Sequence, residues 1–134
     1  MRKNLIILFF MTLLSGCAGL GVATVGAVMY YKSQNHEVAT VDIKASANNV
    51  YNAALNILNS NPDVEIENQD DSAMLLGIRQ ADTAATIKIA KINSHISQLT
   101  ISADASDNNG VSSVLEGAFR ICKELNVKCE LSNQ

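Results

Sequence analysis

Apolar and polar residues alternate along five stretches of the chain, a period of two that is typical of β-strands with one buried and one solvated face. The first stretch covers residues 37–43, and the other four lie at residues 63–67, 74–79, 85–90 and 98–103. Only short runs of turn residues separate the last four stretches. Neighbouring strands are therefore expected to pair as antiparallel hairpins, and one face of the sheet is expected to contact water.

Two further stretches repeat their apolar residues every three or four positions, which predicts helices. The first begins after Ser46, a suitable N-cap, and ends near Ser60 because Pro62 lacks the amide that would continue it. A polar loop over residues 104–110 precedes the second helix, and residues 127–131 follow it as a candidate short strand. The buried stripe of the second helix consists of Val111, Val114, Leu115, Ala118, Ile121, Cys122 and Leu125.

The order strand, helix, four strands, helix (β-α-β-β-β-β-α) indicates the α+β class. An antiparallel sheet with one apolar face buries that face by packing both helices against it. We expect a curved sheet with the second helix in its curve and the first helix beside it.

The N-terminus has the three parts of a secretion signal in order. Arg2 and Lys3 precede an apolar run over residues 5–14, and small residues then lead into a cysteine in Leu14-Ser15-Gly16-Cys17. These four residues match the bacterial lipobox, which implies transfer of diacylglycerol to the Cys17 sulfur and cleavage before Cys17. Residues 1–16 are therefore predicted to be a signal peptide.

An uncleaved membrane anchor is the alternative to a cleaved signal. Residues 4–31 are nearly all apolar, and about 20 apolar residues span a bilayer. The serine and four glycines within this segment disfavour the anchor. Both interpretations place the rest of the chain outside the cytoplasm.

The stretch after Cys17 allows two interpretations. Residues 18–31 carry no charge, so they form either a segment that enters the bilayer or packs through its small residues, or a weakly apolar tether. We favour the tether and interpret residues 32–36 as a polar linker. Residues 17–36 are thus assigned to the lipidated cysteine and its tether, and residues 37–134 to one globular domain.

Charge and cysteine content change this picture only slightly. Cleavage leaves 118 of the 134 residues, with eight basic and thirteen acidic side chains and a net charge of −5. Such a chain is a poor candidate for binding nucleic acid, and the lipid on Cys17 is expected to supply the membrane attachment. Outside the cytoplasm Cys122 and Cys129 are free to form a disulfide, which we favour over two small buried thiols.

The polar residues offer little chemistry. His36 and His95 have no cysteine or carboxylate at metal-ligand spacing and are expected to be exposed. The acidic stretch over residues 63–71 is interpreted as a solvated strand face rather than as a cation site. We assign no catalytic residue, no metal site and no cofactor, and we expect the protein not to be an enzyme.

Four large side chains are candidate core or groove residues: Tyr51, Met74, Leu115 and Phe119. An apolar groove between helix and sheet would hold a lipid, another small hydrophobic ligand or a partner peptide. The size of such a groove depends on tertiary packing.

Several of these features together resemble one group of proteins. They are the lipobox, the Gly/Ala/Val stretch to Tyr31, the Val-Tyr-Asn-Ala-Ala sequence at residues 50–54, the hairpin series, and Val114 and Leu115 in the closing helix. The chain resembles a small family of uncharacterised bacterial lipoproteins with a domain of unknown function, and it is most similar to the Flpp lipoproteins of Francisella. The resemblance implies a membrane-tethered, helix-grip-like domain and a contribution to virulence, and it carries over no catalytic residues.

The leading functional prediction is a non-enzymatic interaction or structural module of the cell envelope, with envelope proteins as its partners. The periplasmic leaflet of the outer membrane is the expected location, because Ala18 rather than aspartate follows Cys17. The alternative is a carrier of a small hydrophobic ligand or lipid in the helix–sheet groove. A continuous apolar cavity of roughly 300 Å³ or more would favour the carrier.

Overall fold

A computed structural model describes residues 25–104 and 113–132, and these residues form seven strands and two helices. The strands are β1 (Ala27–Lys32), β2 (His36–Ile43), β3 (Val64–Asp70), β4 (Leu75–Gln80), β5 (Thr83–Lys91), β6 (Ser97–Asp104) and β7 (Glu130–Leu131). The helices are α1 (Ala47–Asn59) and α2 (Ser113–Glu124). The predicted signal peptide and most of the predicted 104–110 loop lie outside the described residues.

All seven strands belong to one sheet, in the order β3-β4-β5-β6-β2-β1-β7. From β3 to β6 each strand pairs antiparallel with the next one along the chain, as the alternation predicted. β2 then pairs antiparallel with β6, which places the first predicted strand near the middle of the sheet. The sheet is open and curved, and this confirms the predicted α+β class.

Both helices pack on one face of the sheet, and the hydrophobic core lies between the two layers. α1 contacts β3, β5 and β6, whereas α2 contacts β1, β2 and β6, and the helices also touch each other. Alternate residues of the two central strands supply the middle of the core: Ala39, Val41, Ile43, Leu99, Ile101 and Ala103. The residues between them point to the other face, where they are half-buried.

α1 begins and ends where its sequence predicted. The Ser46 hydroxyl accepts a hydrogen bond of 3.3 Å from the Asn49 amide, which satisfies one of the free amides at the helix N-terminus. The last helical residue is three positions before Pro62. Residues at helical spacing face the sheet: Val50, Ala54 and Leu58.

The domain begins about ten residues earlier than predicted. Residues 27–32 were assigned to the tether, but they form β1, which pairs with β2 from Val28↔Val41 to Lys32↔Glu37. Val28 is fully buried, so this strand belongs to the core. Its alternation was hidden in the sequence because inward and outward residues of β1 are both apolar. The rest of the predicted tether before residue 25 lies outside the described residues.

The short strand β7 pairs with β1 in the parallel direction. The amides of Glu130 and Ser132 donate to the carbonyls of Gly26 and Val28, both at 2.8 Å. Gly26 has a φ of +91°, a conformation that L side chains rarely adopt. A Cβ atom at this position would lie 2.5 Å from the Lys128 carbonyl oxygen. Glycine is therefore required where the first and last strands meet.

Cys122 and Cys129 connect the end of α2 to the start of β7. Their sulfurs lie 2.05 Å apart, at bonding distance, and their Cα atoms are 6.1 Å apart. This is the pairing that the sequence analysis favoured. Cys122 is buried in the core while Cys129 is half-buried, so the bond holds β7 against the body of the domain.

Candidate binding cleft

A cleft of about 1250 Å³ opens between the two helices and the sheet. The second half of α1 and the following turn form one wall, and α2 forms the other. The floor consists of inward-facing residues of β4, β5 and β6: Ile78, Ala85, Ile87, Ile101 and Ala103. The cleft therefore lies in the part of the sheet that neither helix covers fully.

Small side chains create this space. Ala85 and Ala103 are directly opposite each other on β5 and β6, so their short side chains leave that part of the floor unfilled. Gly117 adds no side chain to the wall of the cleft, where a Cβ atom would lie 3.3 Å from Ile101 Cδ1. As a result Ile57 and Ile78 are only half-buried and present apolar surface to the cleft.

Charged side chains stand around the rim. Arg120 Nη2 lies 3.7 Å from Glu116 Oε1 one helical turn away, and both side chains are more than half exposed. An exposed pair of this kind adds little to stability. At one end of the cleft the Glu37 carboxylate is buried, with Oε1 3.7 Å from Lys32 Nζ. The cleft thus combines an apolar floor with a charged rim.

The four predicted groove residues do not belong to this cleft. Among the described residues that line it, none is Tyr51, Met74, Leu115 or Phe119. Met74, Leu115 and Phe119 are half-buried against the core instead, and Phe119 borders a separate depression of about 440 Å³ beside Cys129. The four predicted residues have large side chains, which fill space. The useful signal was the small residues at inward-facing positions.

Tyr51 ties α1 to the turn between β3 and β4. Its hydroxyl donates to Asp71 Oδ1 at 2.5 Å, and the Gln69 side-chain amide donates to the same oxygen at 2.8 Å. Burial, followed by the bond to Asp71, raises the pKa of Tyr51 to about 12. The bond from Tyr51, followed by that from Gln69, lowers the pKa of the Asp71 carboxyl.

The acidic stretch over residues 63–71 lies along the outer edge of the sheet. Glu67 accepts a 2.6 Å bond from Arg79 Nε of the neighbouring strand, and this bond raises the pKa of Arg79. Asp70 accepts from the Ala73 amide and the Ser72 hydroxyl, which lowers the pKa of its carboxyl. The acidic residues are exposed, consistent with the predicted solvated strand face.

The remaining residues that the sequence singled out are the two histidines and Cys17. His36 and His95 are exposed, as predicted. Within residues 25–104 and 113–132, no three His, Cys, Asp or Glu side chains gather as metal ligands. Over the same ranges no helix is both long and apolar enough to span a membrane. Cys17 lies outside the described residues, so its lipidation stays a prediction.

No protein-family model and no curated protein sequence matches the chain. Among solved structures, a conserved protein of unknown function from Enterococcus faecalis is 11% identical, with a TM-score of 0.48 over 75% of this chain and 77% of its own. The Zhui aromatase/cyclase from Streptomyces sp. R1128 is 13% identical, with a TM-score of 0.41 over 68% of this chain and 84% of its own. The curved sheet with both helices on one face is the helix-grip-like arrangement that the sequence predicted.

Proposed function

We propose that the chain is a cell-envelope lipoprotein, held at a membrane by lipid on Cys17, and that its domain is a non-enzymatic interaction module. The cleft is the observation that supports an interaction module. The first half rests on the order of basic residues, apolar run and Leu14-Ser15-Gly16-Cys17 at the N-terminus. The proposed location is the periplasmic leaflet of the outer membrane.

The cleft suits binding because part of its apolar floor, at Ile78 and Ala85, is only half-buried. Ile57 and Ile78 are only half-buried, and a partner that covers their exposed apolar surface gains about 25 cal/mol for each Å² removed from water. The paired charges at the rim, such as Arg120 with Glu116, stay solvated while the floor is filled. The expected partner is an apolar segment of another envelope protein, flanked by polar residues that reach the rim.

Site-specific photo-crosslinking in intact envelopes tests this proposal. A photoreactive phenylalanine analogue replaces Ile78 on the cleft floor, and the matched control carries it at Thr86, an exposed position on the opposite face of the sheet. We expect a discrete protein adduct from Ile78 and none of that size from Thr86. Equal adducts from both positions, or an adduct from Thr86 alone, would contradict binding in the cleft.

The membrane attachment has its own test. Replacing Cys17 by alanine removes the sulfur that accepts the lipid, so the chain is expected to leave the membrane fraction and to lose incorporation of labelled palmitate. A Cys17→Ala chain that fractionates like the wild type would support an uncleaved apolar anchor instead.

A second candidate function, a carrier of a small hydrophobic ligand, is favoured by the size of the cleft. Ligand pockets usually measure about 300–1,000 Å³, so about 1250 Å³ leaves room for an acyl chain. Ala85→Leu fills the floor, whereas Ala90→Leu adds the same atoms to an exposed position of the same strand. A carrier predicts that a fluorescent fatty acid binds the wild type and Ala90→Leu but not Ala85→Leu. Failure of the wild type to bind it would exclude this candidate.

A further inference from the structure

The outward side of β1 exposes two large apolar side chains. Met29 is 55% exposed and Tyr31 is 66% exposed, and Val25 just before the strand is 44% exposed. All three lie within seven residues of one another at the start of the described chain. Exposed apolar surface concentrated in one place marks a site of contact with another apolar phase or molecule.

The residues directly opposite them on the next two strands are uncharged. Met29 is opposite Thr40 and Tyr31 is opposite Val38 on β2, so an uncharged strip continues onto the neighbouring strand. It extends to β6 through the residues opposite those two, Thr100 and Ser102.

Asp42, Glu130 and Asp104 are carboxylates that border this strip on the outward face, and the first two each have a partner. Asp42 accepts a 3.1 Å bond from the Gln98 side chain. Glu130, which is paired with Ala27 of β1, lies 3.1 Å from Lys128 Nζ. The strip itself therefore carries no charge, and the exposed Asp104 lies beyond its β6 end, two residues after Ser102.

Charge is unevenly distributed across the sheet. The acidic stretch over residues 63–71 lies on or beside β3, five strand positions from β1. At about 4.8 Å per strand, the two are roughly 24 Å apart. Lys44 and Lys128 are exposed on either side of Gly26, near the start of β1. Anionic lipid headgroups would repel the β3 side of the domain more strongly than the β1 side, where Lys128 is paired with Glu130.

The position of Cys17 limits how far this surface can be from a membrane. Val25 is eight positions after Cys17, and even a fully extended chain of eight steps spans at most about 29 Å. Any lipid on Cys17 would therefore keep the start of β1 within about this distance of the bilayer. Tyrosine is a residue favoured at the membrane–water interface, because its ring is apolar and its hydroxyl is polar.

We propose that the outward side of β1, with Met29 and Tyr31 at its centre, rests on the phospholipid surface that holds the lipid of Cys17. This inference rests on the proposed lipid anchor and adds an orientation to it. Because both helices pack on the other face of the sheet, the cleft then opens away from the bilayer. The domain would thus present its cleft to partners while its outward face contacts lipid.

The test uses the absence of tryptophan from the whole chain. Tyr31→Trp introduces a single fluorophore in the proposed contact, and the matched control Asn52→Trp places it at an exposed position of α1. Each full-length protein is purified from bacteria and reconstituted into phosphatidylethanolamine/phosphatidylglycerol vesicles, with or without brominated acyl chains. Flotation and the mass of the N-terminal peptide report the anchor independently of the fluorescence.

We expect the brominated lipid to quench the fluorescence of Tyr31→Trp strongly and to leave that of Asn52→Trp unchanged. Iodide dissolved in the water should instead quench Asn52→Trp more strongly than Tyr31→Trp. Adding Met29→Asp to the Tyr31→Trp chain should reduce the quenching by lipid, because a carboxylate resists transfer into the interface. An acylated chain that floats with the vesicles but shows equal quenching at both positions would overturn the surface proposal alone. A chain without acyl groups on Cys17 would overturn the proposed anchor and, with it, this inference.

Discussion

Reduction of the Cys122–Cys129 bond is the perturbation whose magnitude follows most directly from the structure. The bond closes a loop across a sequence separation of seven residues. In the chain-entropy description, opening such a loop gives the unfolded state entropy worth about 2.5 kcal/mol at 25 °C. We therefore expect dithiothreitol to lower the free energy of unfolding by about this amount. Reduction is preferable to substitution here, because Cys122 is buried and its replacement would also disturb the core.

Two assays separate the global from the local consequence of reduction. Urea unfolding followed by circular dichroism measures the midpoint of the oxidised and the reduced protein. Hydrogen exchange at the amides of Glu130 and Ser132 measures the pairing of β7 with β1, since these amides donate to Gly26 and Val28. If all of this stabilisation is lost from the β1–β7 pairing alone, hydrogen exchange at the two amides is expected to accelerate on the order of 50-fold.

The Cys122→Ala/Cys129→Ala chain is the control for direct effects of the reductant, because its midpoint should not respond to dithiothreitol. An unchanged midpoint together with unchanged exchange at Glu130 and Ser132 would refute the reasoning. That result would mean that β7 stays in place through its own hydrogen bonds and side-chain packing.

Three further outcomes are expected. Gly26→Ala should destabilise the domain by about 1–3 kcal/mol, because it combines a strained positive φ with the clash at the Lys128 carbonyl. Thermal melts compare it with Gly77→Ala, a position with an ordinary φ, and equal losses of stability in the two variants would contradict the prediction. Leu99→Ala should cost about 3–5 kcal/mol in urea unfolding, because the side chain is fully buried at the centre of the sheet; a loss below that of an exposed-site substitution would be inconsistent with this core. Tyr51→Phe should be less stable than the wild type by an amount that is constant from about pH 5 to pH 9. The raised pKa of Tyr51, about 12, stabilises the folded state below pH 10 and loses that contribution as pH rises towards 12. The lowered pKa of Asp71 stabilises it above the ordinary carboxyl pKa of about 3.9 and loses that contribution as pH falls further. The difference between wild type and Tyr51→Phe should therefore shrink at both extremes of pH, and a difference that is flat throughout would exclude this bond as its cause.

The sequence contained most of the information about elements that depend on local pattern. Ser46 and Pro62 bounded α1 because capping and the missing proline amide act within one helical turn. The meander from β3 to β6 followed from alternation with short turns, since consecutive strands pair with their neighbours. These features require no knowledge of distant contacts.

The elements that were missed depend on partners far away in the chain. The sequence of β1 shows no alternation of apolar and polar residues. Its outward-facing Met29 and Tyr31 are similar in character to its inward-facing Val28 and Tyr30. The cleft was expected only as a groove of unknown size, because its volume depends on how far two helices separate over Ala85 and Ala103.

The position of the Tyr51 side chain could not be predicted from local sequence pattern either. Its hydroxyl donates a hydrogen bond to Asp71, twenty residues later in the chain. The side chain therefore connects α1 to the turn between β3 and β4 and does not line the cleft. Aromatic character predicted burial correctly, but the polar atom of the ring decided where the side chain lies.

The parallel pairing of β1 with β7 has a consequence for the order in which the chain folds. Ala27 and Glu130 are about 100 residues apart, whereas the β3–β6 meander joins only adjacent segments. Non-local pairings form slowly, because the chain must lose loop entropy before the contact contributes. During synthesis β1 emerges first, yet one of its edges stays without β7 until nearly the whole domain has appeared. The meander is thus expected to nucleate folding, with the closure of β1 by β7 among the last steps.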